Sequence, residues 1–228
     1  MTSLSTTALP RWNLTDFYAS ITDPAIGQDL TKAAQLAQEF AQIFTNKFKA
    51  NEWTASDLVA AIQQIDAIEE LLGKLISFAY LHYATNLTDP SVVKFFQHIQ
   101  EKVTATSTHL IFFTLDLNNI DDTALTKAYA TSVELRRYQP WIDNSRLFRP
   151  HQLDNKLEQL LHEKSLTSRN AWVRLYDETL ASLTFEYEDK QLPIAQILDL
   201  LSHKQSEVRK SAALSLSRGL TQQLPLFT

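Results

Sequence analysis

Six histidines are the side chains best suited to metal or acid–base chemistry in this sequence: His82, His98, His109, His151, His162 and His203. The run His162-Glu163-Lys164-Ser165-Leu166 begins like a zinc-protease helix. That site requires a second imidazole one turn on, at i+4, where leucine stands, so the zinc pattern fails. His98 and Glu101 lie one turn apart, and His109 falls on nearly the same helical face. Eleven residues of helix nevertheless span about 16 Å, so His98 and His109 cannot meet on one ion. His151 follows Pro150 at an expected helix start, where its ring is expected to hydrogen-bond locally. Serine and threonine are plentiful, but no Gly-x-Ser-x-Gly elbow occurs. A Ser–His–Asp triad assembles in space, so its presence does not show in spacing.

Composition narrows the classes further. There is no cysteine among the 228 residues, which removes disulfides, thiolate nucleophiles, iron–sulfur clusters and cysteine-bound zinc. Only three glycines are present, at 27, 73 and 219. Neither common phosphate-cradling loop can be written with them. The balance of 21 basic and 26 acidic side chains gives a net charge of −5. Such a chain is a poor partner for nucleic acid. No apolar run approaches a membrane span, and the start, MTSLSTTALPRW, has no signal-peptide pattern. A cytoplasmic protein with neither nucleic-acid nor membrane partners is expected.

The elements that must position these residues are helical almost throughout. Leu30, Ala33, Ala37, Phe40, Phe44 and Phe48 recur at three- and four-residue steps, the signature of one buried helix face. Thr54 with Asp57 predicts a capped start for a helix reaching about Ala84. Asp89-Pro90 opens the next helix, whose stripe runs from Val92 to Leu117. A shorter helix from about Thr123 must end before Pro140. Asp143-Asn144-Ser145 reads as a connection, and Pro150 begins another helix that restarts at Thr167-Ser168. Residues 183–192 alternate apolar and polar side chains around an acidic turn, predicting a short β-hairpin. Two last helices follow, from Pro193 and from Ser206, with Gly219 a left-handed stop.

The fold class expected is mainly α: an array of long antiparallel helices with one β-hairpin near 183–192. Residues 1–120 form an N-terminal long-helix region and 121–228 a second helical region, packed as one unit. Residues 136–174 carry eight basic and four acidic side chains. Arg136, Arg137, Arg146, Arg149, Arg169 and Arg174 are expected to pair with acidic helices, although an anionic ligand is the other reading. Trp12, Trp53, Trp141 and Trp172 are expected in the core, and Gly73 with Ser77 at a close helix approach.

The order of several short motifs is itself informative. Arg11-Trp12-Asn13-Leu14-Thr15-Asp16-Phe17-Tyr18 resembles the opening of the oligoendopeptidase F group of M3 zinc metallopeptidases. Leu72-Gly73-Lys74-Leu75-Ile76-Ser77-Phe78-Ala79-Tyr80-Leu81 is similar to a helix of that group. So, in the same order, are Phe112–Leu117, Arg149-Pro150-His151-Gln152-Leu153 with Glu158 and Leu160-Leu161, Ala171-Trp172, Leu183-Thr184-Phe185 and Arg209–Ala212. The resemblance covers nearly the whole chain.

It implies a much longer enzyme, whose zinc is held by an HExxH helix and a downstream glutamate in a C-terminal catalytic half. None of that pattern is present here. No catalytic, cofactor-binding or metal residue of the family therefore carries over. The resemblance implies a non-catalytic N-terminal domain, inactive alone, forming one wall of a channel that admits short oligopeptides. Its partners would be those peptides and its own C-terminal catalytic domain. The alternative is a stand-alone helical module that binds peptides or proteins without catalysis. A hydrolase working through Ser, His151 or His162 is a third class.

Overall fold

The computed structural model describes residues 12–227 and is mainly helical, with one two-stranded sheet among the described residues. α1 (Pro24–Lys49) and α2 (Ala55–Thr85) form a helical hairpin. Lys47 pairs with Asp57, and Asp29 with Lys74. One partner number falls as the other rises, so the two helices run antiparallel. α1 ends where Asn51 takes φ 56°, a left-handed conformation that asparagine tolerates. The amides of Asn51 and Glu52 return to the carbonyls of Phe48 and Lys47, closing the helix end. α2 starts as expected: the Thr54 hydroxyl accepts from the Asp57 amide, and the Asp57 carboxylate accepts from the Thr54 amide.

α3 (Pro90–Thr108) is capped by Asp89 and has Pro90 in its first turn. Its stripe was expected to continue to Leu117, but the helix breaks at His109-Leu110, and α4 (Ile111–Asn119) is separate. The hydroxyl of Ser107 bonds to the carbonyls of Val103 and Thr104, and that of Thr108 to Thr104. Hydroxyls that take up helix carbonyls in this way bend and end helices. The break lets Phe112 and Phe113 pack against Phe40, with ring centroids 5.6 Å away in each case.

Beyond Asp121 the expected helix boundaries are corrected. α5 (Asp122–Thr131) ends early, and Ser132 caps a new helix, α6 (Val133–Arg146). Pro140 lies inside α6 rather than beyond a helix end, and Asp143-Asn144-Ser145 is helical. The lost backbone bond is tolerated because Leu135 and Ile142, seven residues apart on one face, are both fully buried. The end of α6 is also clamped: the Arg146 guanidinium donates to the carbonyls of Leu117 and Ile120. Pro150 opens only a 3-10 turn at Arg149–His151. The following helix, α7 (Asn155–Lys164), has its own cap in Asp154.

α8 (Arg169–Ser182) leads into the hairpin. β1 (Thr184–Tyr187) pairs antiparallel with β2 (Lys190–Pro193), Phe185 opposite Leu192. The Glu188-Asp189 turn holds Glu188 at φ 52°. α9 (Ile194–Leu200), α10 (Ser206–Thr221) and a last turn, α11 (Leu224–Phe227), complete the described chain. Gly219 does not stop α10; it sits inside it, and no glycine among the described residues has positive φ.

Among the described residues three apolar clusters organise the interior. The first joins α1, α2, α4, α5 and α6 around Phe40, Ile62, Phe113, Leu117 and Leu135. The second joins the N-terminal segment to α1, α2 and α3 around Tyr18, Phe78 and Ile99. The third is small, with Phe185, Ile197 and Ala212 at its centre between the hairpin, α9 and α10. Burying each large side chain contributes roughly 1.5–3 kcal/mol, so the first two clusters hold most of the stability.

Candidate functional site

Among the described residues no group of three or more His, Asp or Glu side chains could hold a metal ion. The donors among the described residues do not fit the zinc that the resemblance implies. The histidines are scattered into separate roles. His82 lies edge-on to Phe78, ring centroids 4.6 Å apart, where burial lowers its pKa. His162 Nε2 lies 2.8 Å from the Ser107 hydroxyl, which ties α7 to the end of α3. His203 Nδ1 accepts from the Gln205 amide. The His151 ring does not make the local hydrogen bond expected of it; it lines a cavity instead.

The motifs that carried the resemblance meet one another in space. Arg11 lies outside the described residues, and Trp12 is 67% exposed, but the rest of the first motif docks onto the second. The buried Tyr18 donates its hydroxyl to Asp29 Oδ2 at 2.8 Å. Lys74 donates to the same oxygen at 3.0 Å and sits 4.1 Å from the centroid of the Tyr18 ring. Phe78 meets Tyr18 edge-to-face at 5.0 Å. Burial pulls the Asp29 carboxyl upward, yet the Tyr18 hydroxyl and Lys74 outweigh it and hold it below the usual range. Burial first, and then the Asp29 bond, raises the Tyr18 phenol far above its ordinary value. This network fastens the N-terminal segment across the α1–α2 hairpin. Its role is packing and orientation. Gly73, within the second motif, has nothing within 4 Å of where a Cβ would stand, so the close helix approach expected there does not occur.

A second pair of motifs converges on a cavity of about 360 Å³ between α4 and the turn before α7. Gln152 donates to the Leu115 carbonyl and accepts from Asn118 Nδ2 at 3.0 Å. The Glu158 carboxylate accepts from the Leu153 amide, closing the turn. Ile111, Thr114, Leu115, Phe148 and His151 line the rest, with Asn118, Gln152 and Glu158. Sequence reasoning missed Asn118. Nothing in the spacing singles it out, because Thr114, Asp116 and Asn119 on the same helix are polar too.

The arginine expectation holds in part. Arg146 reaches Asp122 at 2.5 Å, and Arg149 reaches it at 3.8 Å. Arg174 pairs with Glu178 one turn on, and Arg136 donates to the Tyr129 carbonyl. Among the described residues Arg137 and Arg169 make no ion pair. The tryptophan expectation is corrected: Trp12, Trp141 and Trp172 are exposed, and Trp53 is half-buried. Leu157, Leu160 and Leu161 on α7, with Trp172 and Val173 on α8, form largely exposed apolar faces, and beside them Tyr176 meets Phe227 of α11 edge-to-face at 5.4 Å.

The hairpin is held by a close approach. A Cβ on Gly219 would stand 2.6 Å from Cδ1 and Cε1 of Phe185, and Ser215 Oγ donates to the Glu186 carbonyl at 2.5 Å. A glycine in a helix interior costs about 1 kcal/mol relative to alanine; here it makes room for the ring.

A family model described as Oligopeptidase F, of the N-terminal region of M3 peptidases, matches residues 116–185. The chain is 24% identical over 212 residues to an oligopeptidase PepF of Bacillus subtilis (strain 168), covering 88% of this chain and 30% of that protein. Its fold is similar to the crystal structure of oligoendopeptidase-F from Enterococcus faecium, with a TM-score of 0.69 and 14% identity. That likeness covers 88% of this chain and 40% of the other. The chain thus spans about a third of the relatives it matches. It is similar to the N-terminal portion of an oligoendopeptidase F-like protein, as its motifs indicate.

Proposed function

We propose that this chain is the non-catalytic N-terminal domain of an oligoendopeptidase F-like zinc metalloendopeptidase. In this reading it forms one wall of a channel that admits short peptides, and the catalytic half forms the other. Residues 1–120 and 121–228 are its two helical regions, packed as one unit. The observation that carries the reading is the pairing of 88% coverage of this chain with 30% coverage of its relative. The largely exposed apolar faces of α7 and α8 support it. The zinc and the residues that polarise the scissile carbonyl would then lie in the other half. Two walls closing on a peptide would orient it and exclude water. No described helix is long and apolar enough to cross a membrane, which is consistent with an enzyme acting on peptides in the cytoplasm.

Two measurements test this. Incubated with zinc, the purified chain should leave a quenched fluorescent peptide intact. Cleavage that a chelator abolishes would overturn the non-catalytic reading. Sequencing the reading frame past codon 228 should reveal an HExxH helix. A stop codon there would leave instead a helical module that binds peptides or proteins without catalysis.

A further inference from the structure

The exposed apolar side chains of α7 and α8 follow a pattern. On α7, Leu157, Leu160 and Leu161 recur at three- and four-residue steps, and Leu161 is 55% exposed. On α8, Trp172, Val173 and Tyr176 do the same, and Trp172 is 63% exposed. That spacing puts each set on one helix face. α7 is tied to the body by its other side, where His162 meets Ser107. Neither helix has a buried residue. Exposed apolar stripes of this kind mark interfaces.

Two cations stand in these stripes. Lys164 lies one turn beyond Leu160 and Leu161, and Arg169 one turn before Trp172 and Val173, with only the turn at 165–168 between them in the chain. Both are exposed, and neither makes an ion pair among the described residues. Glu163 and Asp177 border the stripes without pairing with either. Covering Lys164 and Arg169 with a purely apolar surface would strand two charges away from water. Whatever covers them must therefore bring carboxylates. The last described turn indicates where that cover comes from. Phe227 of α11 meets Tyr176 edge-to-face, with ring centroids 5.4 Å apart, so the chain beyond it is delivered to the α8 face. A segment tethered there has an effective concentration on the order of millimolar, which favours it over any separate protein.

We propose that the α7–α8 face is the seam against which the polypeptide following residue 228 packs. An amphipathic helix of that polypeptide covers Leu161, Trp172 and Val173 with its apolar side and pairs its carboxylates with Lys164 and Arg169. The seam rests on the reading that the chain is the N-terminal domain of a longer enzyme. It makes this face a permanent joint between the two halves, and not a surface that peptides touch.

The chain contains no cysteine, so single cysteines report on the seam. Leu161→Cys and Val173→Cys replace exposed side chains and should react freely with a maleimide in the isolated chain. In the protein translated from the whole reading frame, the same two sites should react at least about a hundredfold more slowly, read by mass spectrometry of their peptides. Adding Lys164→Glu and Arg169→Glu should speed that reaction at least about tenfold, because a charge left buried and unpaired weakens an interface by that much or more. The isolated chain carrying both reversals should melt unchanged. If the whole protein cleaves a quenched fluorescent peptide while both cysteines react as fast as in the isolated chain, the seam is overturned and the enzyme reading stands. A reading frame that stops at codon 228 overturns both. Protection of the isolated chain that grows with its concentration assigns the face to a second copy, and protection by phosphatidylglycerol vesicles assigns it to a membrane; either overturns the proposal. So does protection in the whole protein that survives the two charge reversals.

Discussion

Alanine at Gly219 and alanine at Gly73 make opposite demands on the same substitution. Both glycines lie inside helices, so each replacement gains about 1 kcal/mol of helix propensity. Gly73→Ala meets nothing within 4 Å and should keep that gain. Gly219→Ala places a methyl 2.6 Å from two carbons of Phe185, well inside normal contact. The ring is 1% exposed and packed in the hairpin core with Ile197 and Ala212. Overpacking of this kind costs about 1–3 kcal/mol. Propensity cancels between the two variants, so their difference reads the overpacking alone. Gly219→Ala should therefore be about 1–3 kcal/mol less stable than Gly73→Ala. Equilibrium urea unfolding gives the two values, and hydrogen exchange at Phe185 and Leu192 shows whether the loss sits in the hairpin. A Phe185→Leu background should shrink the difference by withdrawing the ring edge. If Gly219→Ala proves as stable as Gly73→Ala, the contact between hairpin and α10 is not what excludes a side chain there.

Three further expectations concern stability. Tyr18→Phe removes a buried hydrogen bond to a carboxylate and should cost about 1.5–3 kcal/mol, read as a lower urea midpoint. The Lys47 ammonium, with help from Thr54, holds the Asp57 carboxyl below the usual range. A depressed folded-state pKa gives stability that is fully present above the unfolded value, near pH 4, and is lost as pH falls through the lower folded value. Asp57→Asn should flatten that acid limb in thermal melts taken from neutral pH down through the acid range. Pro140→Ala restores a backbone donor inside α6 and should stabilise the chain by about 1–3 kcal/mol; a loss of stability on calorimetry would mean that the proline fits a bend the core requires.

Much of the architecture could be read from spacing because the features involved are local. The stripe from Ala33 to Phe48, the Thr54–Asp57 box, the Asp89-Pro90 start and the 183–192 alternation each lie within a few residues of chain, and each appears in the structure. The errors came where distant contacts decide. Pro140 argues for a helix end, but Leu135, Ile142 and the Arg146 clamp on α4 hold the helix across it. The Ser and Thr residues at 104–108 continue a helical stripe, yet their hydroxyls compete for the helix carbonyls. Gly219 looked like a stop, whereas the deciding atom belongs to Phe185 on a strand. Asn118 gave no sign of importance because its meaning rests on Gln152, a partner from another element. The tryptophans failed for a different reason: aromatic residues usually fill cores, and three of these lie on surfaces that the described chain leaves uncovered.

Those exposed indoles also give the protein an unusual optical character. Emission from Trp12, Trp141 and Trp172 arises in contact with water even in the native state, and only Trp53, half-buried with its indole N–H donating to Asn51, reports on the first core. Denaturation will therefore move the emission maximum little, and fluorescence will understate unfolding. The same insensitivity makes the spectrum a clean sensor of association. A partner covering α8 takes Trp172 out of water, so a blue shift at constant helicity registers docking and not folding.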